Sequence, residues 1–158
     1  MLRFVKILPL YVMVVLFSGC VHIGSHAPTL DAKKAVVRVT FEYLDGVVHM
    51  NDGVIESYVA WADYLRNRGL TKADFKQQLA VLRDSSTAET HPLVNLDFVD
   101  VHFAGDDAEV KVRKVSSESA PVITVKLHWG GDAWLVVDDS IFGKDGLITE
   151  HAAKSKNT

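Results

Sequence analysis

The spacing of apolar residues changes once along this chain, near Pro92, and that change limits the fold more than any other feature. Ahead of it, apolar residues recur every three to four positions, the period of a helix with one face buried. Behind it they alternate, the period of a strand between core and solvent. The helical half predicts a first helix capped by Asp31 and running to about Met50, with stripes Ala32-Val36-Val39-Tyr43-Val47 and Val37-Phe41-Leu44-Val48. Asn51-Asp52-Gly53 turns the chain into a second helix over Val54 to Arg68, closed by Gly69. A third begins at Thr71, whose hydroxyl and the Asp74 carboxyl make a weak capping box. The polar run Arg83 to His91 ends this half.

The alternating half predicts four strands. Leu93 to Ala104 sets Val99, Val101 and Phe103 against Asp100 and His102. Glu109 to Val115 sets Val110 and Val112 against Glu109, Lys111 and Arg113, and Val122 to Trp129 sets Ile123, Val125 and Leu127 against Thr124, Lys126 and His128. Ala133 to Ile141 is the last. Short turns at 105–107, 116–119 and 130–132 join them, which makes one antiparallel sheet with one face buried. Three helices ahead of four strands predict an α+β domain over 30–142, with N-terminal helices packed on a curved four-stranded sheet. Residues 143–158 read as a flexible tail.

The N-terminus carries an address. Arg3 and Lys6 precede an uncharged run of eleven residues, Ile7 to Phe17, then Ser18, Gly19 and the single cysteine, Cys20. This is the order of a secretory signal peptide. The run falls short of the roughly 17 to 25 residues of a membrane-spanning helix. Leu16-Phe17-Ser18-Gly19-Cys20 resembles the bacterial lipobox, with Phe17 in the place of its usual aliphatic residue. The resemblance implies a signal peptide over 1–19, cleavage before Cys20, and membrane attachment through a diacylglyceryl group on its thiol. Val21, where an inner-membrane retention signal would carry Asp, favours the outer membrane. Residues 20–29 then form a lipidated tether, and His22 and His26 within it, flanked by Gly24, Ser25 and Pro28, read as linker.

Removal of residues 1–19 leaves 139 of the 158 residues, one domain's length, with 15 basic against 20 acidic side chains and a net charge of −5. Such a domain lacks the basic face that nucleic-acid binding requires. No GxSxG elbow, phosphate-binding glycine loop, HExxH or CxxC occurs, and no metal or other cofactor is expected.

The order of elements, with a last strand reading Ala133-Trp134-Leu135-Val136-Val137-Asp138-Asp139, resembles the nuclear transport factor 2-like, or cystatin-like, superfold over about residues 30–142. That resemblance implies a cone-shaped cavity, used by some relatives for isomerase, dehydratase or polyketide-cyclase chemistry and by others for binding alone. An isomerase-like site needs a carboxylate base and a Tyr or protonated acid in an apolar pocket. The residues that position offers are Tyr43, Tyr58, Asp63, Asp97 and Asp138, with Trp61, beside Tyr58 and Tyr64, as a stacking surface. Alternation sets Asp97 on the face of Val99, Val101 and Phe103, and one of Asp138 and Asp139 must face inward if the last strand stays regular. Asp100 and His102 on the opposite face read as part of a solvated surface of cross-strand charge pairs.

The expectation is therefore a non-catalytic envelope lipoprotein whose small domain binds a partner protein or a modest apolar ligand, or forms a homodimer. The alternatives are a pocket enzyme of isomerase or dehydratase type and a structural subunit of an envelope assembly. A closed apolar cavity holding an inward carboxylate within reach of Tyr or His would separate binding from catalysis.

Overall fold

The computed structural model describes residues 29–84, 91–115 and 120–148. The signal peptide, Cys20, the tether up to residue 28, the 116–119 loop and the chain from 149 lie outside the described residues.

Helix α1 is Leu30–Val48, α2 Asp52–Tyr58, α3 Trp61–Arg68 and α4 Lys72–Asp84; the strands are β1 Leu96–Ala104, β2 Asp107–Lys114, β3 Ile123–Trp129 and β4 Trp134–Asp139. The sheet is an antiparallel meander in the order β1-β2-β3-β4. The chain is thus α+β, with four helices rather than three among the described residues.

Thr29 caps α1, its Oγ1 accepting from the Ala32 amide at 3.1 Å, and Asp31 sits in the first turn instead, where a carboxylate still complements the exposed amides. The capping box at α4 is reciprocal: Thr71 Oγ1 accepts from the Asp74 amide and Asp74 Oδ2 from the Thr71 amide. Gly69 ends α3 with a φ of 61°.

The single helix expected over Val54 to Arg68 is broken at Val59 and Ala60. Val59 is extended and bridges Val136 in parallel, and the Ala60 amide donates to the Val136 carbonyl at 2.9 Å. A β-branched residue suits that conformation. The break lays the α2–α3 junction along the outer edge of β4, and among the described residues β1 is the edge strand with no strand on its far side.

Val36, Tyr43, Leu44 and Val47 of α1 pack with Val110, Val112, Val125, Leu127 and Val136 of the sheet in one core. The sheet curls strongly. Phe103 on β1 and Trp134 on β4 bring their rings to 5.9 Å, whereas a flat sheet would hold these strands about 14 Å apart. Past β4 the chain stays packed. Leu147 and Ile148 are buried, and their amides donate to Ser140 and Ile141. The flexible tail expected from 143 therefore does not begin there, because these apolar side chains complete the core.

Two register shifts decide which residues face inward. On β1, Phe98 pairs with Val112 and Asp100 with Lys111, so Val99 is an extra residue. On β4, Val136 pairs with Leu127 and Asp138 with Lys126, so Val137 is extra. Each extra residue reverses the alternation beyond it.

Candidate functional site

The shift on β4 turns Asp139 inward and Asp138 outward. Asp139, opposite the fully buried Val125, is 2 % exposed. Its Oδ1 accepts from the amides of Ile141, at 2.8 Å, and Phe142, at 3.1 Å, which bends the chain away from the sheet. Its Oδ2 accepts from the hydroxyls of Tyr43 on α1, at 2.5 Å, and Tyr64 on α3, at 2.7 Å. The two tyrosine oxygens are 3.4 Å apart. Burial pushes the Asp139 carboxyl up while these four donors pull it down, and the net direction is up. Both tyrosines are raised well above their ordinary value, first by burial and then by the neighbouring carboxylate.

An inward carboxylate within reach of tyrosine is the pair that enolate chemistry would use. Here the acceptor capacity of the carboxylate, about four lone-pair sites, is taken up by donors of the protein itself. Tyr43 and Tyr64 are both 0 % exposed. The arrangement joins α1, α3 and the end of β4.

A second feature is open. A groove of about 790 Å³ runs between α1, α2 and the segment 93–96. Its apolar wall includes Phe41, Leu44, Val48, Val54, Leu93 and Leu96; Glu42, Asp45, His49 and Asn95 add polar groups. Gly46 sets the spacing, since a Cβ there would lie 2.8 Å from Val54 Cγ1. The Tyr58 hydroxyl donates to Glu42 Oε2, and Arg38 stands 3.6 Å from Glu42 Oε1. Burial holds His91, just before the groove, below the ordinary imidazole range, and its Nδ1 accepts from the Leu93 amide.

The residues expected to line one pocket are dispersed. Tyr43 belongs to the buried network and Tyr58 to the groove. Trp61 packs edge-on against Phe75 and Tyr64, with the Lys72 ammonium over its ring at 4.5 Å. Asp63 faces solvent in an ion pair with Arg66. Asp97 is exposed on the outer face, paired with Arg113 across the strands, because the extra Val99 breaks the alternation that would have placed it inward. Asp138 is on the outer face between Arg68, at 2.6 Å, and Lys126, at 3.1 Å. Asp100 lies opposite Lys111 and His102 opposite Glu109, a face of cross-strand pairs.

Sequence reasoning left Asp139 undecided against Asp138 and placed Tyr64 only as an aromatic neighbour of Trp61. The missing signal was the extra residue in β4, which no composition rule marks. Among the described residues no group of three or more His, Cys, Asp or Glu is placed to hold a metal ion, and no helix is long and apolar enough to cross a membrane.

No family model matches the chain, and no curated protein or solved structure matches it.

Proposed function

We propose that the chain is a bacterial envelope lipoprotein, anchored through lipid on Cys20 in the outer membrane and facing the periplasm. Its small domain binds a partner protein or a modest apolar ligand and performs no catalysis. The binding half rests on one observation: the solvent-open groove with apolar side chains from α1, α2 and 93–96. Such a surface, lined by apolar groups with a few polar ones, is the common form of a binding site. The address rests on the order of Arg3, Lys6, the apolar run and Ser18-Gly19-Cys20. For the fold we favour a nuclear transport factor 2-like cone, supported by the long first helix against a curled sheet.

The isomerase or dehydratase reading is weaker, because the carboxylate and tyrosines it would use are saturated with one another. No particular contact favours a structural subunit of an envelope assembly.

Two measurements test the proposal. Metabolic labelling with palmitate should mark the wild-type chain and not Cys20→Ser, and equal labelling of both would remove the anchor. A photo-crosslinker at Ser57, in the groove, should form an adduct in cells that the same group at Thr124 on the outer sheet face does not. Adducts from both positions alike, or from neither, would remove the groove as the binding surface.

A further inference from the structure

We propose that the groove receives an amphipathic helix of a partner protein whose polar face is basic. This rests on the binding reading above and adds the chemistry of the partner. Phe41, Leu44 and Val48 lie on α1 at intervals of three and four residues, so they form one stripe about two helical turns long. A stripe of that length matches the i, i+3, i+4, i+7 anchors by which an amphipathic helix lies in an apolar trough.

Charge selects among such helices. Among the described residues the carboxylates in the groove wall are Glu42 and Asp45, and no Lys or Arg lines it. The charged neighbours include Arg38, 3.6 Å from Glu42 Oε1, His49, whose Nδ1 is 3.2 Å from Asp45 Oδ1, and Lys114, which pairs with Leu96 across the strands and donates to the His91 carbonyl at 3.3 Å. The Asp45 side chain is 73 % exposed, free to turn toward an arriving cation. Tyr58 occupies Glu42 Oε2 and fixes that carboxylate at the groove wall, where acceptor sites remain for a Lys or Arg of the partner. Without residues 1–19 the chain carries 15 basic against 20 acidic side chains, a net charge of −5, so the long-range field also favours a basic arrival and disfavours an acidic one.

The probes are two helical peptides of about four turns, with Leu at i, i+3, i+4 and i+7 and either Lys or Glu at the remaining positions. The protein is the full chain in nanodiscs of phosphatidylcholine, with empty discs as the reference. The Lys peptide should bind at least about tenfold more tightly than the Glu peptide, move the amide resonances of Val48, Ser57 and Leu96, and weaken as salt rises. Asp45→Lys, a change at an exposed position, should lose most of that preference while the Val110 and Val125 amides stay in place, as they do in a folded domain. Equal binding of both peptides in the groove would overturn the charge assignment and leave the groove as a binding surface. Failure of both to move groove resonances would overturn the binding reading as well. Groove resonances that shift with protein concentration alone would assign the surface to a second copy. Amides there already protected without peptide would assign it to a segment of this chain. Either result rejects the basic partner.

Discussion

The Tyr43 hydroxyl donates to Asp139 Oδ2 at 2.5 Å across 96 positions of sequence, in full burial. Tyr64 supplies a second donor to the same oxygen. Removing either hydroxyl leaves a buried carboxylate with one fewer hydrogen bond, a loss of about 1.5 to 3 kcal/mol for a bond to a charged group. Tyr43→Phe and Tyr64→Phe should each lower the urea midpoint by that amount, and the double variant should deviate from their sum because both act on one oxygen. Additive losses well under 1 kcal/mol would mean that the hydroxyls do not stabilise the carboxylate.

The same carboxylate sets a pH dependence. Its folded value is raised above the unfolded range of about 4, so the folded state keeps a proton that the unfolded chain has released. That contribution is complete below about pH 4 and is lost as pH rises through the folded value, with a slope of at most about 1.4 kcal/mol per pH unit. Asp139→Asn should remove this decline, so the gap between variant and wild type should shift in the variant's favour as pH rises from about 4. Parallel stability curves would show that Asp139 does not titrate in this range.

His91 contributes with the opposite sign. Its folded value is depressed, so its contribution is present above the unfolded value of about 6.5 and is lost as pH falls through the folded one. His91→Gln should lack that acid-side loss in a series of urea titrations. An unchanged acid slope in the variant would place its source elsewhere.

Gly46 has no room for a methyl group, with Val54 Cγ1 2.8 Å and Val54 Cβ 3.2 Å from the position it would take. Alanine gains up to about 1 kcal/mol of helix propensity over glycine, but overpacking commonly costs about 1 to 3 kcal/mol. Gly46→Ala should therefore be destabilising, and Val54→Ala added to it should recover part of the loss. A Gly46→Ala protein at least as stable as wild type would show that α2 shifts freely.

The open edge of the sheet carries its own protection. The Asn95 carbonyl accepts from the Val115 amide, just past β2, so alternation points the Phe98 amide away from β2, where Asp97 Oδ1 accepts it at 2.9 Å. Asp100 Oδ1 accepts the Val101 amide in the same manner at 2.8 Å. Carboxylates along an edge discourage strand addition, here beside the exposed Phe98 and Val99. Asp97→Ala with Asp100→Ala should raise self-association in sedimentation velocity by about tenfold or more relative to wild type. A double variant that sediments as wild type does would remove these carboxylates as guards.

Much of the architecture was legible because period is a strong signal. The change near Pro92, Gly69 as a helix stop, the Thr71–Asp74 box and the inward Val110, Val112, Val125 and Leu127 all follow from local rules. What was not legible depends on parity. A single unpaired residue, Val99 or Val137, reverses every assignment beyond it, which sent Asp97 to solvent and exchanged Asp138 for Asp139. The break at Val59 was hidden for a related reason: the bond from Ala60 to Val136 is tertiary, and the helical spacing of Tyr58, Trp61, Ala62 and Leu65 runs straight through it. Asp97 and Asp138 left the expected pocket with those two extra residues, whereas Tyr43 and Tyr58 are parted because one hydroxyl meets Asp139 and the other Glu42.

Asp139 follows both of its tyrosine donors by 75 and 96 positions. During synthesis α1 and α3 therefore leave the ribosome long before the acceptor that satisfies their hydroxyls exists. Tyr43 and Tyr64 can therefore bury their hydroxyls against this carboxylate only once the last strand has emerged.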